Sequence, residues 1–453
     1  MSDFLARAAL ATYRIAGALG RPLVPPYVVW RASRGKEEGA RRRERYGLAG
    51  LERREGPLVW VHAASVGESA AVSPMVRAIA DLGLPILMTT GTRTSAALVS
   101  ERLGDCVTHQ YVPLDLAPYI RRFLDHWRPD VAITAESEIW PTTMHELARR
   151  RVPLILVNAR LSDRSFARWS QVPRIAEAVM EKVTHVVAQS ELDAERYRAL
   201  GAPAVSVAGN LKAEMPAPAV AEAEFVRVAR AFGDRPVWAA VSTHPGEEAI
   251  AGAAHRRLKA SHPRLITLVV PRHVTRGDEI AASLEAAGLR VARRSRGELP
   301  GPDTDVMLGD TMHEMGLYLR LTEIVFVGKS LTGTGGQNPL EAAMLGNAIL
   351  SGRAVQNFRD IYGKLVEMGG ARIVADEADL SEQLDFLLSD SLAQSTMAAA
   401  ARAAVREMRG GLRRTMDALH PFLHPLELAL SLDRRAAPPP PPPPAAAAAG
   451  GRR

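Results

Sequence analysis

Cysteine is almost absent: Cys106 is the only one in 453 residues. A single thiol excludes a disulfide framework and suits a reducing compartment. Cys106 reads as a small packed side chain rather than a nucleophile. Aromatic residues make up 5% of the chain, with no interleaving of aromatic and basic residues, which argues against a nucleic-acid partner. No run of 18 residues is free of charge, so no membrane-spanning helix is expected. Arginines interrupt the apolar N-terminal stretch, which argues against a secretory signal. No set of His, Cys and acidic residues has zinc spacing, and neither a GxSxG elbow nor a Walker lysine loop occurs.

What charge there is lies unevenly. The net charge is +7, and residues 1–54 carry all of it, with twelve Lys+Arg against five Asp+Glu. The remaining body is neutral. The first residues, about Asp3 to Leu19, read as a helix with Arg7, Arg14 and Arg21 at seven-residue spacing near one face. Phe4, Leu5, Ala8, Ile15 and Leu19 fall on the other side. With the basic run Arg41–Arg45 behind it, such a helix can lie on an anionic membrane surface. A surface helix packed on its own domain is the other reading. At the far end, seven prolines from Pro438 and then an alanine run read as a low-complexity tail.

From Leu58 onward one theme repeats: an apolar run, a small or polar loop, a helix. LVWVHA, PILMTT, VAITA and VPLILVNA are its first strands, and after the Ala/Pro-rich stretch KAEMPAPAVAEAEF it restarts with PVWAAV, LITLVVP and TEIVFV. Strands alternating with helices predict parallel sheets covered on both faces. The expectation is an α/β protein with two doubly wound Rossmann-like domains facing a cleft. The divisions expected are an arm over 1–54, a first domain over 55–212, a linker over 213–235, a second domain with the closing helices over 236–432, and a tail over 433–453.

The loops after the strands carry the candidate chemistry. GKSLTGTGGQNPLEAAMLG, Gly328 to Gly346, joins a strand to a helix through a glycine-rich loop. Its N–H groups are expected to point outward to an anion, with Asn338 as N-cap, Pro339 at the first helical position and Glu341 available to ribose hydroxyls. In SVGE, Glu68 stands at a helix start, where a carboxylate is held ionised and can serve as a base or as an ordinary cap. Glu136 and Glu138 in ESEIWP, two residues apart in an extended segment, are expected on one face. Lys212 in GNLK offers a point charge to an anion. Arg272 and His273 in VPRH suit a phosphate. Glu314 falls in the early helical turn of GDTMHEM, and Glu247 and Glu248 repeat that pattern in STHPGEE. The pair Asp303 and Asp305 resembles a metal-binding DxD but precedes a strand, at the wrong end for a site.

Taken in order, SVGE, TTGT, ESEIWP, NARLSDRS, GNLK, STHPGEE, VPRH, GDTM and GGQNPLEAAM resemble the 3-deoxy-D-manno-octulosonic acid (Kdo) transferases of lipid A assembly, from roughly Tyr46 to the low 420s. The resemblance implies a GT-B glycosyltransferase that moves Kdo from CMP-Kdo to the lipid A precursor, inverting, without a metal or cofactor, on the cytoplasmic face of the inner membrane. It implies Glu68 as general base and Glu136 and Lys212 as transition-state stabilisers. It places CMP contacts on Pro271, Arg272, Met312, His313, Glu314, Asn338, Pro339, Leu340 and Glu341. The family commonly has glycine where this chain has His313, whose side chain would either crowd the nucleotide or add a phosphate donor. Other readings are a GT-B transferase or epimerase acting on a different nucleotide sugar, and a non-catalytic nucleotide-binding protein docked on a membrane.

Overall fold

The computed structural model describes residues 2–53 and 55–436; nothing is said of the side chains of residues 2–7, 9 and 433–436. Two seven-stranded sheets, parallel throughout, form the two halves. The first contains β1 (Val59–His62), β2 (Ile86–Thr90), β3 (Val107–Tyr111), β4 (Val131–Ala135), β5 (Leu154–Ala159), β6 (His185–Ala188) and β7 (Val205–Val207), in the order β3-β2-β1-β4-β5-β6-β7. The second contains β8 (Val237–Thr243), β9 (Ile266–Pro271), β10 (Val291–Arg293), β11 (Val306–Leu308), β12 (Ile324–Val327), β13 (Ala348–Ser351) and β14 (Ala371–Ile373), in the order β10-β11-β9-β8-β12-β13-β14. In each sheet the chain reverses its direction of growth beside the first strand, between β1 and β4 and between β8 and β12. Ligands of doubly wound sheets bind at such switch points.

Alternation within β1 shows why the strands form. Val59 and Val61 enter one core layer, and Trp60 enters the layer on the opposite face with Phe123. Both faces are covered, so the strands are continuous apolar runs.

The segment expected as a linker divides in two. Phe225, Val228 and Phe232 stand at helical spacing, and the helix Glu222–Phe232 buries Val228 and Phe232 in the core of the second half. Only residues 215–221 cross as extended chain. The closing helices also divide. Helices Glu377–Ser389 and Ser391–Met408 cover the second sheet. The chain then turns at Gly410, and the helix Gly411–Ala436 returns to the first half, where Leu419 and Leu423 join the layer of Val59 and Val61. Residues of the Pro/Ala tail from 437 onward lie outside the described residues.

The basic arm has two parts. Helices Ser2–Leu19 and Val24–Ser33 lie on the surface of the first half, the former against Ala117–Trp127 and Pro173–Met180. The side chains of Phe4, Leu5 and Arg7 lie outside the described ones; at the end of the helix the expected faces are reversed. Arg14 reaches His145 at 2.7 Å and Arg21 lies 6.0 Å from the Tyr119 ring, while Ile15 and Leu19 are 60% and 76% exposed. Among the described residues no helix is long and apolar enough to cross a membrane.

The second part, around Glu37–Tyr46, is built into the body. Arg45 is buried, pairs with Glu37 at 2.9 Å and donates to the carbonyls of Gly91 (2.6 Å) and Val112 (3.0 Å). Glu44 accepts the Tyr111 N–H at 2.6 Å and pairs with Arg41. These residues pin the ends of β2 and β3. Without Arg45 the buried Glu37 keeps only the partly exposed Arg31, and the carbonyls of Gly91 and Val112 lose their donor, at a cost of about 3 kcal/mol. Arg45→Ala is therefore expected to lower the unfolding free energy by about that amount. Urea denaturation checks it, and a loss well under about 1 kcal/mol would mean that the arm is dispensable packing.

Candidate active site

Glu68 sits in the first turn of the helix Val66–Asp81, at the carboxyl end of β1. Ser65 caps that helix by accepting the Glu68 N–H, and the Glu68 carboxylate accepts the Ala64 N–H at 2.7 Å and the Ser65 hydroxyl at 3.0 Å. Capping and a reactive position coincide in one side chain. Burial, and secondly the neighbouring Glu136, raise its pKa above the ordinary glutamate value, outweighing the hydrogen bonds that lower it. Burial thus opposes the helix start and its hydrogen bonds, which favour the ionised form.

Glu136 follows β4 directly, on the other side of the switch point. Its backbone is left-handed, φ 54°, so ESE is a turn and not the extended segment expected. The Glu136 carboxylate receives the Lys212 ammonium at 2.7 Å, both groups being largely buried. Glu138 completes the cluster: it accepts the Trp140 indole N–H at 2.7 Å, and burial, Glu68 and Glu136 raise its pKa. Lys212 lies in the turn Leu211–Glu214, held by residues that motif reading did not single out. Asn158 accepts the Leu211 N–H, Asn210 accepts the Lys212 N–H, and Gln189 bridges Asn158 and Asn210.

In the second half the glycine loop behaves differently from expectation. The buried Glu247 carboxylate accepts the N–H groups of His244, Lys329, Ser330 and Leu331 at 2.6 to 3.0 Å. The N–H groups of Gly335 and Gly336 bond to Gln356 and to the Lys329 carbonyl. The nest is thus filled from within, and charge on a ligand is left to side chains and to the start of the next helix. That helix, Leu340–Leu345, begins one residue later than predicted: Pro339 is the N-cap, and Asn338 Oδ1 accepts the Leu340 N–H at 3.2 Å. Leu340 itself is a core side chain, and Pro339 and Pro271 are buried, so their side chains do not present polar groups.

Glu341 is deeply set; burial raises its pKa, and Arg272 and Arg102 oppose the rise. Arg272 is exposed, and no hydrogen bond or ion pair engages its guanidinium among the described residues. Arg102 comes from the helix Arg93–Leu103 of the first half, so Glu341 feels cations from both sides of the cleft. A cavity of about 660 Å³ lies there, lined by Ser73, Arg102, Lys212, Asn338, Leu340 and Glu341 among others. Met312 and His313 are exposed, but the Glu314 carboxylate is taken up by Arg294, Thr311 and Tyr318. Asp305 is paired with Lys259 and Arg290, and Asp303 with Arg290, at the amino end of β11.

The two halves also touch beside this cavity. Arg160 donates to the carbonyl and side-chain oxygens of Asn357 at 2.8 and 3.0 Å, and Arg359 pairs with Asp163 at 2.9 Å. The Phe358 ring between these contacts lies 6.0 Å from the Lys212 ammonium.

Residues 40–215, which hold the whole carboxylate–lysine cluster, match the family of 3-deoxy-D-manno-octulosonic-acid transferases (kdotransferases). The chain is 36% identical over 391 residues to the 3-deoxy-D-manno-octulosonic acid transferase of Haemophilus influenzae, covering 84% of this chain and 91% of that one. The chain belongs to the Kdo transferase family. To the enzyme of the same description from Bordetella pertussis it is 35% identical over 422 residues, 89% of this chain and 97% of that one. A solved glycosyltransferase from Rickettsia africae shares the fold, with a TM-score of 0.58 at 13% identity over 82% of this chain and 99% of that one. The fold is GT-B, and the protein is a glycosyltransferase.

His313, the departure from the glycine common in Kdo transferases, has φ 65°. Left-handed backbone explains the glycine: a β-carbon there is strained, by about 1 to 3 kcal/mol for unfavourable residues. Histidine is among the side chains that tolerate it. His313→Gly is expected to fold as stably as the parent, whereas β-branched His313→Val should lose about 1 to 2 kcal/mol. Equal urea midpoints for the two variants would contradict this.

Proposed function

We propose that the enzyme transfers Kdo from CMP-Kdo to a lipid A precursor of the lipid IVA type, releasing CMP with inversion at the anomeric carbon. The observation that carries the reading is the Glu68, Glu136 and Lys212 cluster at the switch point of the first sheet, opposite the uncommitted Arg272 of the second. The acceptor hydroxyl attacks the anomeric carbon of Kdo as the bond from that carbon to the CMP phosphate oxygen breaks. Glu68 takes the hydroxyl proton, a role to which its raised pKa is suited. Lys212 and Glu136 form a fixed pair of opposite charges beside the reacting carbon, needing no reorganisation as charge develops.

On the donor side, Arg272 takes the charge of the leaving phosphate, and Glu341 with the chain around Asn338, Pro339 and Leu340 holds the ribose. The chain at Pro271 and at Met312, His313 and Glu314 lines the remainder of the nucleotide. Leu340, Pro339 and Pro271 contribute backbone, since their side chains are buried. The cationic side chains supply the electrostatic stabilisation for which no metal is invoked.

Acceptor and enzyme meet at a surface. The outward apolar face of the two N-terminal helices, with Ile15, Leu19, Leu23, Val29 and Trp30 exposed, lies near the exposed basic residues Arg42 and Arg43 in sequence. Such a face adsorbs to an anionic bilayer by apolar burial and charge together. This supports peripheral attachment to the cytoplasmic face of the inner membrane, where a phosphorylated lipid acceptor would be within reach.

Incubation with CMP-Kdo and the lipid A precursor, followed by mass spectrometry, is expected to yield a Kdo-bearing lipid. Glu68→Gln is expected to slow transfer about a hundredfold to ten-thousandfold with CMP affinity retained. Because the base must be ionised, wild-type kcat/KM should rise with pH through a limb above the ordinary glutamate value of 4.5, and the variant should lack that limb. Near-normal turnover by Glu68→Gln removes it from the role of base; transfer from a UDP-sugar but not CMP-Kdo overturns the donor assignment.

Deleting residues 2–33 removes Arg31, one of the two arginine partners of Glu37, and leaves Arg45 on Glu37 with the rest of the Glu37–Tyr46 network. The shortened enzyme is expected to keep its circular dichroism spectrum but to sediment less with anionic vesicles, and added salt should weaken binding of the full chain. Unchanged vesicle binding after the deletion would rule out the helices as the membrane contact.

A further inference from the structure

The switch point of the second sheet carries a cluster that the preceding roles leave unused. Three neighbouring strands, β9, β8 and β12, end in His273, His244 and Lys329, each within two residues of its strand. The Glu247 carboxylate bonds to peptide N–H groups in the loops after both β8 and β12, tying them into one unit. With four donors on its two oxygens, its charge is spent on the backbone. Glu248 is likewise committed, to Thr243 and Arg276. What remains around the two loops is basic.

Lys329 is the centre of it. Its backbone is left-handed, φ 58°, where a residue with a β-carbon is strained and glycine would not be. Its partly buried side chain makes no hydrogen bond or ion pair among the described residues. Beside it, the His244 ring is oriented by the Gln337 amide at 3.1 Å and stacks edge-on with His273 at 5.7 Å. Burial, and then the Lys329 charge, lower the His244 pKa, and the ring lies next to an uncommitted cation.

A 2-keto sugar acid activated as its CMP ester carries two anionic groups on one carbon, the carboxylate and the phosphate. Arg272, next to Glu341, serves the nucleotide side. We propose that Lys329, with His244 and Gln337, forms a separate subsite for the carboxylate of the transferred sugar. The proposal rests on the Kdo-transfer reading and deepens it. The subsite occupies in the second sheet the topological place that Glu68 and Glu136 occupy in the first. A carboxylate anchored there fixes the carbon to which it is attached, and a neutral hexose has nothing to offer it. Lys329 is thereby a determinant of specificity for acidic sugars.

Lys329→Gly tests this well, because the backbone there already has the conformation that glycine favours. With CMP-Kdo and lipid A precursor, kcat/KM for CMP-Kdo is expected to fall about tenfold to a hundredfold, the range for one charge-assisted hydrogen bond. Calorimetric affinity for CMP alone should stay within about twofold, and Lys329→Arg should recover part of the loss. A parallel loss of CMP affinity would overturn the proposal by giving Lys329 to the phosphate, and unchanged kinetics would overturn it outright. If the wild type transfers Kdo normally while Lys329→Gly does too, only the subsite falls; if the wild type fails to use CMP-Kdo, the transfer reading falls and the subsite with it.

Discussion

The ion pair between Lys212 and Glu136 joins the end of the first domain's chain to the end of a central strand of its sheet. Two charges taken this far out of water are costly unless the geometry is held and the remaining polar groups are satisfied. Here the holding is done by amides: Asn158, Gln189 and Asn210 fix the turn that carries Lys212, and Asn158 itself has a left-handed backbone, φ 49°. Burial, and after it the charge of Glu136, raises the pKa of Glu68, and burial, Glu68 and then Glu136 raise that of Glu138. The acid–base character of the cluster is therefore set first by burial and then by the carboxylates crowded together there.

The same lysine reports on the second domain. Phe358 approaches its ammonium, and the neighbouring Asn357 is gripped by Arg160 from the first domain while its own N–H bonds to the Gly335 carbonyl in the glycine loop. A chain of direct contacts thus runs from the glycine loop, through residues 356–359, to the carboxylate cluster.

Much of this was legible in the sequence because it depends on local pattern. The strands are uninterrupted apolar runs, so the two sheets could be read directly, while Glu68, Glu136 and Lys212 were singled out by the order of the polar loops and the family resemblance it carries. What was not legible depends on contacts between distant segments. Glu247 looks like a first-turn glutamate, and only the pairing of β8 with β12 brings it to N–H groups more than eighty residues away. Spacing gives the N-terminal helix two faces but not which one packs; Arg14 and Arg21 found partners on the body, and Ile15 and Leu19 point outward. Arg102 carries no motif at all, and its place beside Glu341 exists only once the two domains are assembled.

The main chain crosses between the domains twice, once along residues 215–221 and once near Gly410. The two crossings are stitched together, since Glu214 accepts the N–H groups of Gly410 and Leu412. A single crossing would act as a ball joint. Two side-by-side crossings act as a door hinge: they allow the halves to swing about one axis and resist both twist and sliding. An enzyme that must admit a nucleotide sugar and then bring groups on two sheets to the same carbon gains from this restriction. A closing stroke about such a hinge would retrace one path and return the opposed groups to the same register without a search.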